Sequence, residues 1–173
     1  MKKLSTKQIL AQNQERTSPM RNRFILWLHD IRSLHNVGAA FRNADAFGIS
    51  QLWFSGFTPT PPRPEITKTA IGAEDHVKWR KIEHEIEAIH QLKKEGYTIL
   101  ALEQTDQSVP IHEYKLSEKP ICLILGNEVT GVDEKLLSEI DTAVEIPQFG
   151  MKHSLNVSVA SGVALYAFCE KLL

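Results

Sequence analysis

A chain of 173 residues, 42% hydrophobic and 24% charged, is long enough to bury a full core and reads as one globular domain. No apolar run approaches the roughly 20 residues of a membrane span, and the polar start "MKKLSTKQILAQ" has no signal-peptide core, so a cytoplasmic location without a membrane is expected. The net charge of −1 hides a split, because residues 1–23 carry six of the 20 Lys and Arg (Lys2, Lys3, Lys7, Arg16, Arg21, Arg23) against one of the 21 acids, Glu15.

Such a basic arm fits either a polyanion partner or a solubilising tail. The boundary is drawn at residues 1–21 for the arm and 22–173 for the domain. "RFILWLHDI" (23–31) reads as a strand, and "NVGAAFRNADAFG" (36–48) as a helix closed by glycine. "SQLWFSGF" (50–57) is a second strand, and the prolines of "TPTPPRPE" exclude regular structure there. A polar loop through "GAEDH" leads to "VKWRKI" and a helix, "EHEIEAIHQLKKEG" (83–96), with acids first and lysines last as the helix dipole favours. "YTILALEQT" (97–105) and "PICLILGNE" (120–128) are strands, "VDEKLLSEI" a short helix, "TAVEIPQ" (142–148) a fifth strand, and "SLNVSVASGVALYAFCEKLL" a closing helix. This alternation predicts an α/β fold, a mostly parallel sheet with helices on both faces. Cys122 and Cys169 read as buried small hydrophobes in a reducing compartment, and no Cys/His spacing suits a metal.

Ligands of such sheets sit beyond the carboxyl ends of the strands, which selects residues after Ile31, residues Leu102 to Asp106, and "GNEVTG" (126–131) joined by "IPQFG". At about 100° per residue, Val37, Ala40, Phe41, Ala44 and Phe47 form the apolar stripe of the first helix, with Arg42 opposite among Gly38, Ala39, Asn43 and Ala46. Small residues around one arginine admit a partner or substrate backbone, or Arg42 pairs with Asp45 on the surface. Asn36 falls at the expected N-cap. In the last helix Ser154, Ser158, Ser161, Gly162 and Leu165 form a stripe of small residues, expected to lie between the sheet and a partner. His153, Ser154 and Asn156 stand at its start, with Ser154 read as its cap or as part of the site. In "GNEVTG", Gly126 and Gly131 allow close backbone approach, while Glu128 argues against phosphate. It suits a ligand with a positive centre, or a carboxylate that ties loops together.

Together, "NVGAAFRNADAFG", "GNEVTG" and "IPQFGMKHSLNVS" resemble, in order, the three motifs of the SpoU (TrmH) branch of the SPOUT methyltransferases, over roughly residues 22 to 173. Gln148 departs from the methionine common after the motif's proline. The resemblance implies a C-terminal deep trefoil knot, which composition could not have suggested. It also implies S-adenosylmethionine as cofactor, held by Leu102, Glu103, Gly126, Asn127, Ile146, Gln148 and Leu155, and a homodimer whose partner subunit contributes to each site. The implied reaction is methyl transfer to a ribose 2′-hydroxyl of tRNA or rRNA. By likeness of "EGYTILALEQTDQS" to tRNA-modifying members, a D-loop guanosine of tRNA is favoured. The implied catalytic set is Arg42, Asn36, Glu128, Ser154 and Asn156. Arg42 is either the base that takes the hydroxyl proton or a clamp on the adjoining phosphate. A guanidinium protonated above pH about 12 makes the clamp the cheaper role. A non-catalytic RNA-binding module of the same fold remains the alternative from another class. An ordinary nucleotide-binding enzyme is disfavoured by the missing G-x-G-x-x-G.

Overall fold

The computed structural model describes residues 1–49 and 51–173. The order is α1 (Thr6–Glu15), β1 (Phe24–His29), α2 (Leu34–Phe47), β2 (Gln51–Ser55), α3 (Pro64–Ala70), a 3-10 turn (Ala73–Asp75), β3 (Lys78–Ile82), α4 (Glu85–Lys94), β4 (Thr98–Leu102), β5 (Val109–Pro110), β6 (Ile121–Leu125), α5 (Glu134–Leu137), β7 (Thr142–Glu145) and α6 (Val157–Glu170). The strands form one sheet in the order β3-β2-β1-β6-β4-β7-β5, every described pairing parallel.

Both faces of the sheet are covered, so its central strands are apolar throughout rather than alternating. The two-residue period of a strand still decides which face each side chain enters. In β1, Phe24, Leu26 and Leu28 join the core under α2, α3 and α6 with Phe41, Phe54 and Phe168. Ile25 and Trp27 enter the opposite core with Trp53, Ile89, Leu92 and Leu136. Cys122 lies in that second core, where burial pushes its thiol well up from the usual range, and burial raises the Cys169 thiol as well. Neither is poised as a thiolate.

Several predicted elements shift. Ser50, predicted to begin the second strand, lies outside the described residues. The prolines of residues 58–63 leave that segment irregular, but Pro64 starts α3, because a first-turn proline gives up an N–H that a helix cannot use there. "VKWRKI" supplies β3, an edge strand, and β5 is a two-residue strand on the other edge. Gly38, predicted to leave the first helix open on its polar side, is instead buried against α3. A Cβ there would lie 2.6 Å from the Ile66 carbonyl oxygen and 2.7 Å from Thr69 Cβ. Residues 6–15 of the basic arm form an exposed helix with a Ser5–Gln8 capping box, whereas Met20 is fully buried and Arg23 donates to the Glu118 carbonyl at 2.9 Å. Arg23 is thus spent on the fold. No described helix is long and apolar enough to cross a membrane.

Candidate functional site

β6 lies between β1 and β4, and the loops after β4, β6 and β7 open on the same end of the sheet. There "GNEVTG" closes on itself. Asn127 and Gly131 exchange both backbone hydrogen bonds, at 2.9 and 3.0 Å, and the Asn127 side-chain oxygen accepts from the N–H groups of Val129 and Thr130. Asparagine suits this because its short amide copies a turn's own hydrogen bonds. A Cβ on Gly126 would stand 2.2 Å from the Gly131 carbonyl carbon, so the glycine serves the loop's own closure. Gly131 has φ +74, and Glu103 fills the space beside it, accepting from Val132 N–H at 2.9 Å and Gln104 N–H at 3.0 Å.

Glu128 leaves this loop and binds the start of α2. Its oxygens accept from Arg32 N–H at 2.9 Å, Ser33 N–H at 3.1 Å and the Asn36 side-chain amide at 3.0 Å. Burial pushes this carboxyl up, but the bonds from Arg32 N–H, the Asn36 amide and the N–H groups of Glu128 and Ser33 outweigh it and hold it below the usual value. Asn36 in turn accepts from the Asn156 amide at 3.2 Å. One line of hydrogen bonds, Asn156 to Asn36 to Glu128, therefore joins all three sequence motifs. Of the two roles the residues left open for Glu128, this geometry is the one that ties loops together.

Two capping assignments change. Asn36 is inside α2, whose N-cap is Ser33, its hydroxyl accepting from Asn36 N–H at 3.3 Å. Asn156, not Ser154, caps α6, accepting from Ser158 N–H at 2.9 Å, so Ser154 precedes the helix and is exposed. In both cases the cap is the polar residue just before the first helical residue, Leu34 in α2 and Val157 in α6. The small stripe of α6 also has an unexpected neighbour. Asn43 donates to the Ser158 carbonyl at 2.9 Å and the Ser161 hydroxyl at 2.8 Å, and a Cβ on Gly162 would lie 3.4 Å from the same amide. That stripe packs on α2 of its own chain.

Leu102, Glu103, Gly126, Asn127, Ile146, Gln148 and Leu155 all line one cleft of about 350 Å³, together with Glu128 and Ser154. Asn36 and Asn156 are not among its lining residues and connect to it through Glu128, Asn36 directly and Asn156 by way of Asn36. Arg42 does not line it. This side chain is exposed on α2, beside a separate groove toward α1, and no carboxylate lies within ion-pair distance among the described residues. The surface pair with Asp45 does not form. The cleft wall also holds Gln104, from the stretch Leu102 to Asp106 selected in the sequence, and His153, where Gln104 donates to the His153 carbonyl at 2.9 Å, whereas sequence reasoning missed Glu145. It also missed Asp30, held at φ +55, whose carbonyl accepts from the Asn127 amide at 2.7 Å. Ser33 could have been found as the polar residue just before the periodic run. Nothing local marks Asp30.

The cleft is lined by the carboxylates of Glu103, Glu128 and Glu145, by apolar Leu102, Ile146 and Leu155, and by no lysine or arginine among the described residues. The negative potential of these acids disfavours phosphate, and the lining offers both apolar surface and hydrogen-bonding groups to a neutral or cationic ligand. No group of three or more His, Cys, Asp or Glu side chains gathers as a metal site among the described residues.

Comparison with known proteins agrees with that geometry. A family model described as the SpoU rRNA Methylase family matches residues 23–166. A tRNA (guanosine(18)-2'-O)-methyltransferase of Aquifex aeolicus (strain VF5) is 30% identical over 143 residues, 82% of this chain and 66% of that protein. The crystal structure of the A. aeolicus TrmH/SpoU tRNA modifying enzyme superposes with a TM-score of 0.82 at 27% identity, covering 95% of this chain and 83% of that one. The AdoMet-bound rRNA methyltransferase from Sinorhizobium meliloti gives the same TM-score of 0.82 at 27% identity, covering 91% of this chain and 59% of that one. The chain thus spans just under two thirds of the A. aeolicus relative's length.

Proposed function

The chain belongs to the SpoU rRNA Methylase family, and on that premise we propose that it transfers a methyl group from S-adenosylmethionine to a ribose 2′-hydroxyl of RNA. The observation that carries this reading is a cleft with three carboxylates and no lysine or arginine among its described lining residues. It fits a phosphate-free ligand with a sulfonium centre. Leu102, Ile146 and Leu155 would hold its apolar surface, and Glu103, Asn127 and Gln148 its polar edges. When bound, S-adenosylmethionine supplies an electrophilic methyl group. The chain's own residues then have to align the ribose and stabilise its oxygen while the hydroxyl proton passes to the adjoining substrate phosphate or to solvent. Glu128 fixes the loop to α2, Asn36 and Asn156 present amides beside it, Ser154 lies at the cleft wall, and Arg42 clamps the phosphate next to the target ribose.

The TrmH-type relatives support tRNA, with a D-loop guanosine as the target nucleotide. An rRNA target is the second reading, favoured by the equal likeness to the S. meliloti enzyme. Arg42 stands outside the cleft lining of its own chain, which supports a homodimer in which it reaches the partner's cleft. Val159, Val163 and Tyr166, exposed at helical spacing on α6, supply an apolar face for a second copy. We read the C-terminal third as the deep trefoil knot of the family, which would hold the loops after β4, β6 and β7 around one ligand. We propose a cytoplasmic location, where tRNA is present as a substrate.

The test is methyl transfer from labelled S-adenosylmethionine to unmodified total tRNA and, separately, rRNA, with nuclease mapping of the label. A single 2′-O-methylated tRNA position is expected. Label confined to rRNA would replace the substrate, and no label in either, with cofactor binding intact, would end the reading as an enzyme. Residues 1–21 form an arm that adds to RNA affinity through Lys2, Lys3, Lys7 and Arg16. Deletion of residues 1–17, which spares buried Met20, should weaken tRNA binding and flatten its salt dependence without changing cofactor affinity. Unchanged tRNA affinity would retire the arm.

A further inference from the structure

Strand β3 is an edge of the sheet, paired among the described strands to β2 alone, and its first four residues, Lys78, Trp79, Arg80 and Lys81, are all exposed. Three of the four are cations. None of the three has a carboxylate within ion-pair distance among the described residues, whereas Lys93 on neighbouring α4 is paired with Asp141 at 3.3 Å. The aromatic side chains here are fixed. The Arg80 guanidinium lies 3.7 Å above the Trp53 ring, and Trp79, 38% exposed, packs at 5.9 Å from the Phe54 ring. A guanidinium stacked on an indole keeps its N–H edge directed outward, ready for a phosphate. Gln51, Trp53, Lys78, Trp79, Arg80 and Tyr97 line a cleft of about 390 Å³ at this edge, in which Glu95 is the one carboxylate among the described lining residues.

Lysine on an edge strand is a common guard against strand pairing between molecules. The opposite edge, β5, has a different guard, a two-residue strand ending in Pro110. A guard does not call for a stacked arginine or a half-exposed tryptophan between the cations. By the two-residue period Lys78 and Arg80 stand on the Trp53 face and Trp79 and Lys81 on the Phe54 face, so a nucleic-acid strand lying along the open edge meets cations from both faces and the ring from one.

We propose that edge strand β3 is a second RNA contact surface, apart from the methyl-transfer cleft, where Lys78, Arg80 and Lys81 hold the phosphate backbone and Trp79 stacks a base. The proposal rests on the RNA reading above. Three strand spacings, about 14 Å, separate β3 from β6, which carries the "GNEVTG" loop, so a folded RNA with its ribose in the cleft can reach both.

The experiment is a salt titration of a labelled, unmodified tRNA transcript against the full chain and its Lys78→Gln/Arg80→Gln/Lys81→Gln variant, with cofactor binding followed calorimetrically. Three lost phosphate contacts should lower the slope of log affinity against log salt by about two and weaken binding about tenfold near 0.15 M salt. Cofactor affinity should stay within twofold. Because Arg80 also braces Trp53, the Lys78→Gln/Lys81→Gln pair carries the test if the triple variant melts, with an expected slope change of about 1.5. Trp79→Ala should weaken binding at least fivefold with the slope unchanged. Unchanged affinity and slope in the lysine pair would overturn the surface and leave the cations as an edge guard. A wild-type chain that binds the transcript with these slopes yet transfers no methyl would uphold the surface and overturn the enzymatic reading. One that methylates RNA with the slope unaltered by the variants does the reverse.

Discussion

Replacing Arg42 by alanine is expected to lower methyl transfer by roughly 100- to 1,000-fold, the range seen when one pre-aimed donor is removed from a charge-stabilising site. Cofactor affinity should not change, because Arg42 lines no part of the cleft that would hold the cofactor. Nor should stability change much. The side chain is exposed and has no carboxylate within ion-pair distance among the described residues, so its removal breaks no ion pair of the fold. That combination separates Arg42 from an ordinary surface cation. Arg42→Lys should be nearly as impaired, because an ammonium keeps the charge but cannot present two parallel N–H groups to a phosphate. The measurement is single-turnover transfer to tRNA with both variants at saturating cofactor. A rate within threefold of the wild type for alanine would remove Arg42 from the mechanism.

Glu128→Ala should damage the molecule differently, lowering both stability and cofactor affinity. Its carboxylate accepts from the N–H groups of Arg32 and Ser33 and from the Asn36 amide, and Asn36 accepts from Asn156. Deleting it leaves three donors to partial solvation, for an expected loss of about 2 kcal/mol and a melting temperature lower by about 4–8 °C. Cofactor affinity should fall at least tenfold as the "GNEVTG" loop comes away from α2. Acid separates this from simple loss of packing. The folded carboxyl lies below its ordinary value, so its contribution is complete above the unfolded value of about 4.3 and is lost as the pH falls through the lowered folded value. The stability gap between wild type and Glu128→Ala, read as a urea midpoint, should therefore be full at pH 7 and shrink below about pH 4. A gap independent of pH would mean that the carboxylate's charge is not what joins the loop to the helix.

The sequence by itself determined most of the elements and the places where chemistry could occur. Five apolar runs became strands because period and length are written in neighbouring residues, and Gly48 closed α2 in the left-handed conformation that its position called for. The polar loops at the strand ends were legible for the same reason. Short or edge elements were not. The seven residues of α3 begin at a proline inside a proline-rich run, and β5 has two residues, too few for any period to register. Tertiary structure alone decided what the motif residues touch. Asn36 meets Glu128 across 92 positions and Asn156 meets Asn36 across 120. Gly38, which looked open to a partner or substrate, and the small stripe of α6, which looked set between the sheet and a partner, were claimed by α3 and by Asn43 of the same chain. Local sequence records the turn and the face a residue occupies. Which distant loop is brought against it depends on strand order, and here that order places β6 between β1 and β4 and so sets its loop against the start of α2.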